Sequence, residues 1–249
     1  MSQHIQRLAV RMLYDPSLVI QVYTGVSVDG LSDAERAILT ASPQAAWGTD
    51  PLRPTRTLQA LLEEFPVSAA VTGLSPLHGF FTSEDFHRCI QKRGRLVASF
   101  GGWMVAHAGR IAELELAIAR SRRDPIRASG SLSLVPGLVP VSLPEDTLSC
   151  YQKIRASLGP DPLKHLISNT FRPYVLPEPP ENSAHFLIER GADGGVQIGG
   201  GSAALNGLLA AAPAPRSVLE QAAIRQGATA AEAPDIIDDL LREGLLECT

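Results

Sequence analysis

Aromatic side chains make up only 5% of this 249-residue sequence, and its three cysteines, Cys89, Cys150 and Cys248, form no Cys-x-x-Cys pair. Widely spaced single thiols exclude a disulfide scaffold and match the usage of a reducing compartment. No run approaches the roughly 18 consecutive apolar residues of a membrane span. The opening MSQHIQRLAVRMLYD carries polar and charged groups where a secretory signal needs an apolar centre. A cytoplasmic chain with no membrane partner is therefore expected.

Catalytic and metal-binding patterns are missing as well. His78, His87, Cys89, His107, His165 and His185 show neither zinc-knuckle spacing nor a His-Glu-x-x-His helix, so no metal site is expected. There is no Gly-x-Ser-x-Gly for a nucleophile, and no GK[ST] loop for a phosphate. Gly199-Gly200-Gly201-Ser202 reads instead as a strand-to-helix turn. The acidic doublets Glu63-Glu64, Glu84-Asp85 and Asp238-Asp239 diverge by about 100 degrees on a helix, which suits solvated faces better than a shared substrate. The chain is read as a non-enzyme with no catalytic residue and no cofactor of its own.

What is present is an ordinary globular composition, 45% hydrophobic and 19% charged, in a chain long enough for two modest domains. Charge is divided unevenly. Residues 1–125 hold 13 Lys and Arg against 12 Asp and Glu, whereas residues 126–249 hold 9 against 14, a net of -5. Binding to a phosphate backbone depends on Lys and Arg displacing counterions, so the acidic half argues against nucleic acid.

Residues 1–125 read as a helical bundle. Leu8, Met12 and Leu13 mark a first helix that Pro16 interrupts, and Ser32-Asp33-Ala34-Glu35 is a capping box. Thr49-Asp50-Pro51 offers a cap for the helix carrying Leu58, Leu61, Leu62 and Phe65, which Pro66 should end or kink. Residues 110–123 give the clearest helix, with Ile111, Leu114 and Ile118 on one face and Glu113, Glu115, Arg120 and Arg122 mostly on the other. Phe81, Phe86, His87, Arg88, Arg93 and Trp103 belong to a dense aromatic and basic cluster. It suits either a core with a solvated basic rim or a protein interface.

The character changes after Asp124-Pro125. SLSLVPGLVPVSLP predicts two short strands around Pro136-Gly137, as a hairpin or edge ribbon, with Pro140 and Pro144 confining it to an edge. Helices at 145–158 and 160–171 follow, and the prolines at 173, 177, 179 and 180 suggest a linker. Residues 126–183 thus form a connecting segment. From 184 to 249 the pattern is a hairpin over 185–199, helices at 202–211, 215–226 and 233–243, and a short final strand at 245–248. The expected fold is α+β, mainly helical, with a helical bundle followed by a small winged-helix-like domain.

Two resemblances extend this reading. HFLIERG, VQIGGGSAALNGLLAAAP, RSVLEQAA and IIDDLLREGLLE together resemble the PqqD-like domain that recognises leader peptides of ribosomally made, post-translationally modified peptides. RMLYDPSLVIQVYTG, SDAERAILTA, PLRPTRTLQALLEEFPVSAA and FFTSEDFHRCIQKRGRLVASFG are similar to the partner subunits of the methanobactin type, which accompany multinuclear non-heme iron oxidative enzymes. The resemblance implies a heterodimer in which the iron belongs to the partner enzyme. It further implies a precursor peptide whose leader pairs as a strand with residues 185–189 or 196–198, beside His185, Leu187, Ile188, Glu189, Val196 and Ile198. Phe81, Phe86, His87, Arg88, Arg93 and Trp103 would then face the enzyme. The alternative is a winged-helix transcription regulator whose helix 215–226 enters a DNA groove, although that helix carries only Arg216 and Arg225 as basic residues.

Overall fold

The computed structural model describes residues 3–28, 30–123, 131–168, 170–191 and 193–249. The expected boundary at 125–126 and Ala192 of the expected hairpin turn lie outside them. The fold is α+β, mainly helical with a small antiparallel sheet. Contacts divide the chain into two compact units, Met1–Ala108 with Ile154–Val175, and Gly109–Lys153 with Leu176–Thr249.

The first unit begins with α1 (Gln3–Met12) and α2 (Pro16–Thr24). Asp15 separates them by accepting bonds from the Ser17 and Leu18 amides, and Pro16 sits in the first turn where no amide partner is needed. The capping box at Ser32 and Glu35 forms and opens α3 (Asp33–Thr40). α4 (Arg53–Glu64) starts later than the Thr49-Asp50-Pro51 cap implied. Asp50 is occupied instead by ion pairs with Arg53 and Arg56, and Pro54 takes the first-turn position.

Phe65 is fully enclosed at the junction with α5 (Pro66–Thr72). A 3-10 segment, Ser75–Thr82, leads to α6 (Glu84–Lys92), whose first turn is closed by Ser83 accepting from the Phe86 amide. α7 (Leu96–Ala108) then packs against α5 and α6. The aromatic residues gather here: Phe80 lies 5.0 Å from Phe100, 5.4 Å from Phe86 and 5.7 Å from Trp103 between ring centroids.

The second unit opens with α8 (Arg110–Ser121), which the sequence reading placed in the helical bundle. Glu113, Arg120 and Arg122 are exposed on its polar face, but Glu115 is as buried as Leu114, at 1% exposure each. Leu114, Ala117 and Ile118 pack on strands β2 (Val139–Pro144) and β3 (Ser183–Arg190). At its start, Arg110 pairs with Asp146 at 2.9 Å and donates to the Pro177 carbonyl at 3.0 Å. The proline run expected as a linker is therefore bonded into the second unit at that point.

β1 (Leu132–Leu134) and β2 are not paired with each other as the hairpin reading proposed. β1 pairs with the terminal strand β5 (Leu246–Cys248), and β2 pairs with β3, which pairs in turn with β4 (Val196–Gly200). Gly137, at φ 92, makes the turn between β1 and β2, where a Cβ would stand 2.8 Å from that of Arg190. α9 (Thr147–Leu158) and α10 (Pro162–Leu166) come between β2 and β3 in the chain. The expected 183–184 boundary therefore separates strands that share one sheet.

α11 (Ala203–Leu209), α12 (Arg216–Arg225) and α13 (Ala233–Arg242) complete the second unit close to where the sequence placed them. Their apolar faces, with Leu208, Leu209, Leu219, Ile237 and Leu240, bury a core that also includes Leu132 and Leu246 from the β1–β5 pair. Ser202 starts α11 by accepting from the Leu205 amide, and Gly244, at φ 70, follows α13.

Candidate functional site

The three-stranded sheet has the order β2-β3-β4, so β3 is interior and both of its edges are used. Its alternation can be read from two bonds that extend the ladders: Arg190 N–H to the Gly137 carbonyl, and Gly201 N–H to the His185 carbonyl. In an antiparallel pair, bonded positions recur at every second residue. Phe186, Ile188 and Arg190 thus bond toward β2, and His185, Leu187 and Glu189 toward β4. Residues 185–189 have no main-chain edge left for a further strand, which corrects the expectation that they pair with a peptide.

The two outer edges differ. On β2 the outward positions are Pro140, Ser142 and Pro144, and the prolines present no N–H. On β4 the outward positions are Val196, Ile198 and Gly200, each with both a donor and an acceptor. Gly199 and Gly200 are exposed, and among the described residues no strand pairs with that edge. Of the expected backbone partners, only 196–198 retain a free edge.

The side chains named for peptide binding separate by face. Ile188 is fully buried, with Phe186, Val196 and Ile198 packed around the same core against α8. Ile188 is therefore a core residue and offers a peptide no surface. Leu187 turns to the opposite face and packs with the core of α11 to α13. His185 shares that face, its Nδ1 2.8 Å from the Ser142 hydroxyl, and Glu189 is exposed.

Asn206 of α11 ties the helices to the sheet, although the sequence reading did not single it out. Its side-chain amide donates to the Val141 carbonyl at 2.8 Å and to the Phe186 carbonyl at 3.2 Å, one on each of two neighbouring strands. The residue is 4% exposed, and its Oδ1 lies where a Cβ on Gly201 would come within 2.8 Å. Gly201 is thus required by close approach.

The residues expected at an enzyme contact do not form one surface. Phe81, Phe86 and Trp103 are core, stacked among the aromatic rings of the first unit. Arg88 is exposed and paired with Glu84 at 2.7 Å, and Arg93, with φ 50, ends α6 in an exposed turn. His87 is half-buried, and burial first and the Arg11 guanidinium second hold its pKa below the usual histidine value. The first unit does present other apolar surface: Ile20 is 53% and Leu52 59% exposed. A hollow of about 600 Å³ lies between α1, α2 and the 3-10 segment Gln44–Gly48, lined in part by Met12, Val19 and Trp47.

Among the described residues, no group of three His, Cys, Asp or Glu stands close enough to hold a metal ion. No helix among them is long and apolar enough to cross a membrane. On α12, Arg216 is held by Glu220 at 2.9 Å and Asp238 at 2.6 Å, and the hydrogen bond from Arg216 keeps the Asp238 carboxyl below its usual range. One of the two cations a DNA-reading helix would use is therefore already neutralised. No protein-family model matches the chain, and neither does any curated protein sequence.

Proposed function

We propose that this protein is a non-catalytic partner subunit that holds the leader of a ribosomally made precursor peptide for an iron-dependent oxidative enzyme in the cytoplasm. In this reading the sheet β2-β3-β4, the helices α11 to α13 and strand β5 act as a winged-helix-like recognition domain of the PqqD-like type. The leader adds as a strand outside β4, where main-chain bonds provide affinity and side chains on alternate faces provide selectivity. The observation that carries the proposal is the asymmetry of the sheet: prolines at 140 and 144 block one edge, while Val196, Ile198 and Gly200 leave the other open. Natural sheets close edges that must not pair, so an edge left open is the one available for use.

The helical unit is the enzyme-docking part of the proposal, with iron and oxidative chemistry in the partner. Ile20 and Leu52, with the hollow beside α2, are better contacts than the aromatic cluster, because they are accessible and the rings are not. The acidic balance of the second unit and the engaged Arg216 favour peptide over DNA.

The experiment is co-expression with the neighbouring open reading frames, followed by purification on a tag carried by this chain. An iron-containing enzyme and a short peptide are expected to co-purify; recovery of neither rejects the proposal. Ile198→Pro removes an outward donor without removing a β3–β4 bond, and should reduce peptide retention by about tenfold or more. Ser142→Pro, on the far edge, should leave retention unchanged.

A further inference from the structure

Main-chain pairing along β4 does not by itself choose one peptide over another, so selectivity must come from side chains nearby. Between α11, α12 and α13 there is a cavity of about 510 Å³. Leu205 and Leu208 of α11, Ala223 of α12 and Ile236 of α13 give it apolar walls. Glu232, Asp235 and Asp239 line it with carboxylates, and no Lys or Arg is among its lining residues.

The three carboxylates are in different states. Glu232 accepts from the Thr229 amide at 2.9 Å and its hydroxyl at 2.7 Å, bonds that hold its pKa below the usual range and keep it charged. Asp239 meets Arg242 at 2.6 Å, in an ion pair whose arginine is 74% exposed and therefore well screened. Asp235 is exposed and has no ion-pair partner among the described residues. Asp235 and Asp239 are four residues apart on α13 and so stand on one face, with Ile236 beside them.

We infer that this cavity takes an apolar side chain of the leader, and that Asp235 and Asp239 select a lysine or arginine next to that side chain. The inference rests on the reading of β4 as the docking edge. Ala204, which also lines the cavity, is four residues beyond Gly200, so the two are within about 14 Å of each other along the chain. An extended peptide paired at Ile198 and Gly200 covers that distance in four or five further residues. Its apolar side chain fills the space between the leucines, and its cation reaches the carboxylates over an aliphatic stem. The occupant is a cationic, amphipathic peptide segment; an acidic segment is repelled by Glu232, Asp235 and Asp239 together.

The probe is a synthetic library of random peptides captured on the immobilised full chain and sequenced. The wild-type protein is expected to enrich Leu, Ile or Phe with Lys or Arg close by. The double variant Asp235→Asn, Asp239→Asn alters two exposed positions and should keep the apolar preference while losing the basic one. A peptide recovered with the wild type should bind the double variant about fivefold more weakly, with the difference disappearing at high salt. Ala204→Trp, which fills the cavity from an exposed position, should remove the apolar preference. Capture that Ile198→Pro abolishes but that is indifferent to Asp235, Asp239 and Ala204 overturns this inference and leaves the docking edge standing. Failure of the wild-type chain to capture any peptide overturns both.

Discussion

Ile188 is completely enclosed between α8 and the sheet, whereas Ile198, its cross-strand neighbour, is only partly covered. Ile188→Ala should therefore lower the unfolding free energy by about 2–5 kcal/mol, and Ile198→Ala by distinctly less. Urea titration of the two variants compares them directly. His87 gives a prediction of a different kind. Its pKa lies below the ordinary value of about 6.5 because the ring is partly buried and faces Arg11, with Asp15 and Glu84 opposing more weakly. In the unfolded chain the ring takes up a proton at higher pH than in the fold. The stability gained by keeping it neutral is thus complete above pH 6.5 or so and declines as pH falls toward the depressed value. His87→Gln should flatten the fall in urea midpoint between about pH 7 and pH 5.

Gly137 shows how the elements depend on single backbone positions. At φ 92, with a Cβ required to enter the space of Arg190, Gly137→Ala strains the turn that sends β1 and β2 into different sheets. A loss of about 1–3 kcal/mol is expected, read as a lower thermal midpoint with the helical content unchanged. The sequence already showed the β3–β4 hairpin and α11 to α13, because alternation, Ser202 and Gly244 are local signals that act within a few residues. It did not show where β1 and β2 pair. Leu132 meets Cys248 and Val139 meets Ile188 across long stretches of chain, and nothing local encodes a partner so distant. The choice of edge was hidden for the same reason, since β3 becomes interior only once β2 is in place. The aromatic cluster left core and interface both open because density in sequence does not distinguish rings that face one another from rings that face outward. Asn206 left no signal either: a lone asparagine in a short helix reads as solvated until the carbonyls of Val141 and Phe186 are placed beside it.

At the level of the whole molecule, the second unit takes segments from both sides of Ile154–Val175, so cutting the chain at the expected boundary removes one strand from each of its two sheets. A fragment of residues 184–249 lacks α8, β1 and β2, leaving Ile188 and Leu246 without their coverings. It should be largely unfolded by circular dichroism and show no cooperative melt, whereas a fragment of residues 109–249 contains every element of the second unit and should melt cooperatively. The two prolines of β2 also bear on how copies of this protein behave toward one another. Growth of a ribbon of molecules requires each copy to have a sticky side on both left and right, and β2 offers only the Ser142 donor on its outer side. Two copies can meet along β4 and satisfy each other, after which this sheet keeps only its β2 side to recruit a third. At high concentration, association through this sheet is therefore expected to stop at pairs, with the peptide and a second copy competing for the same place.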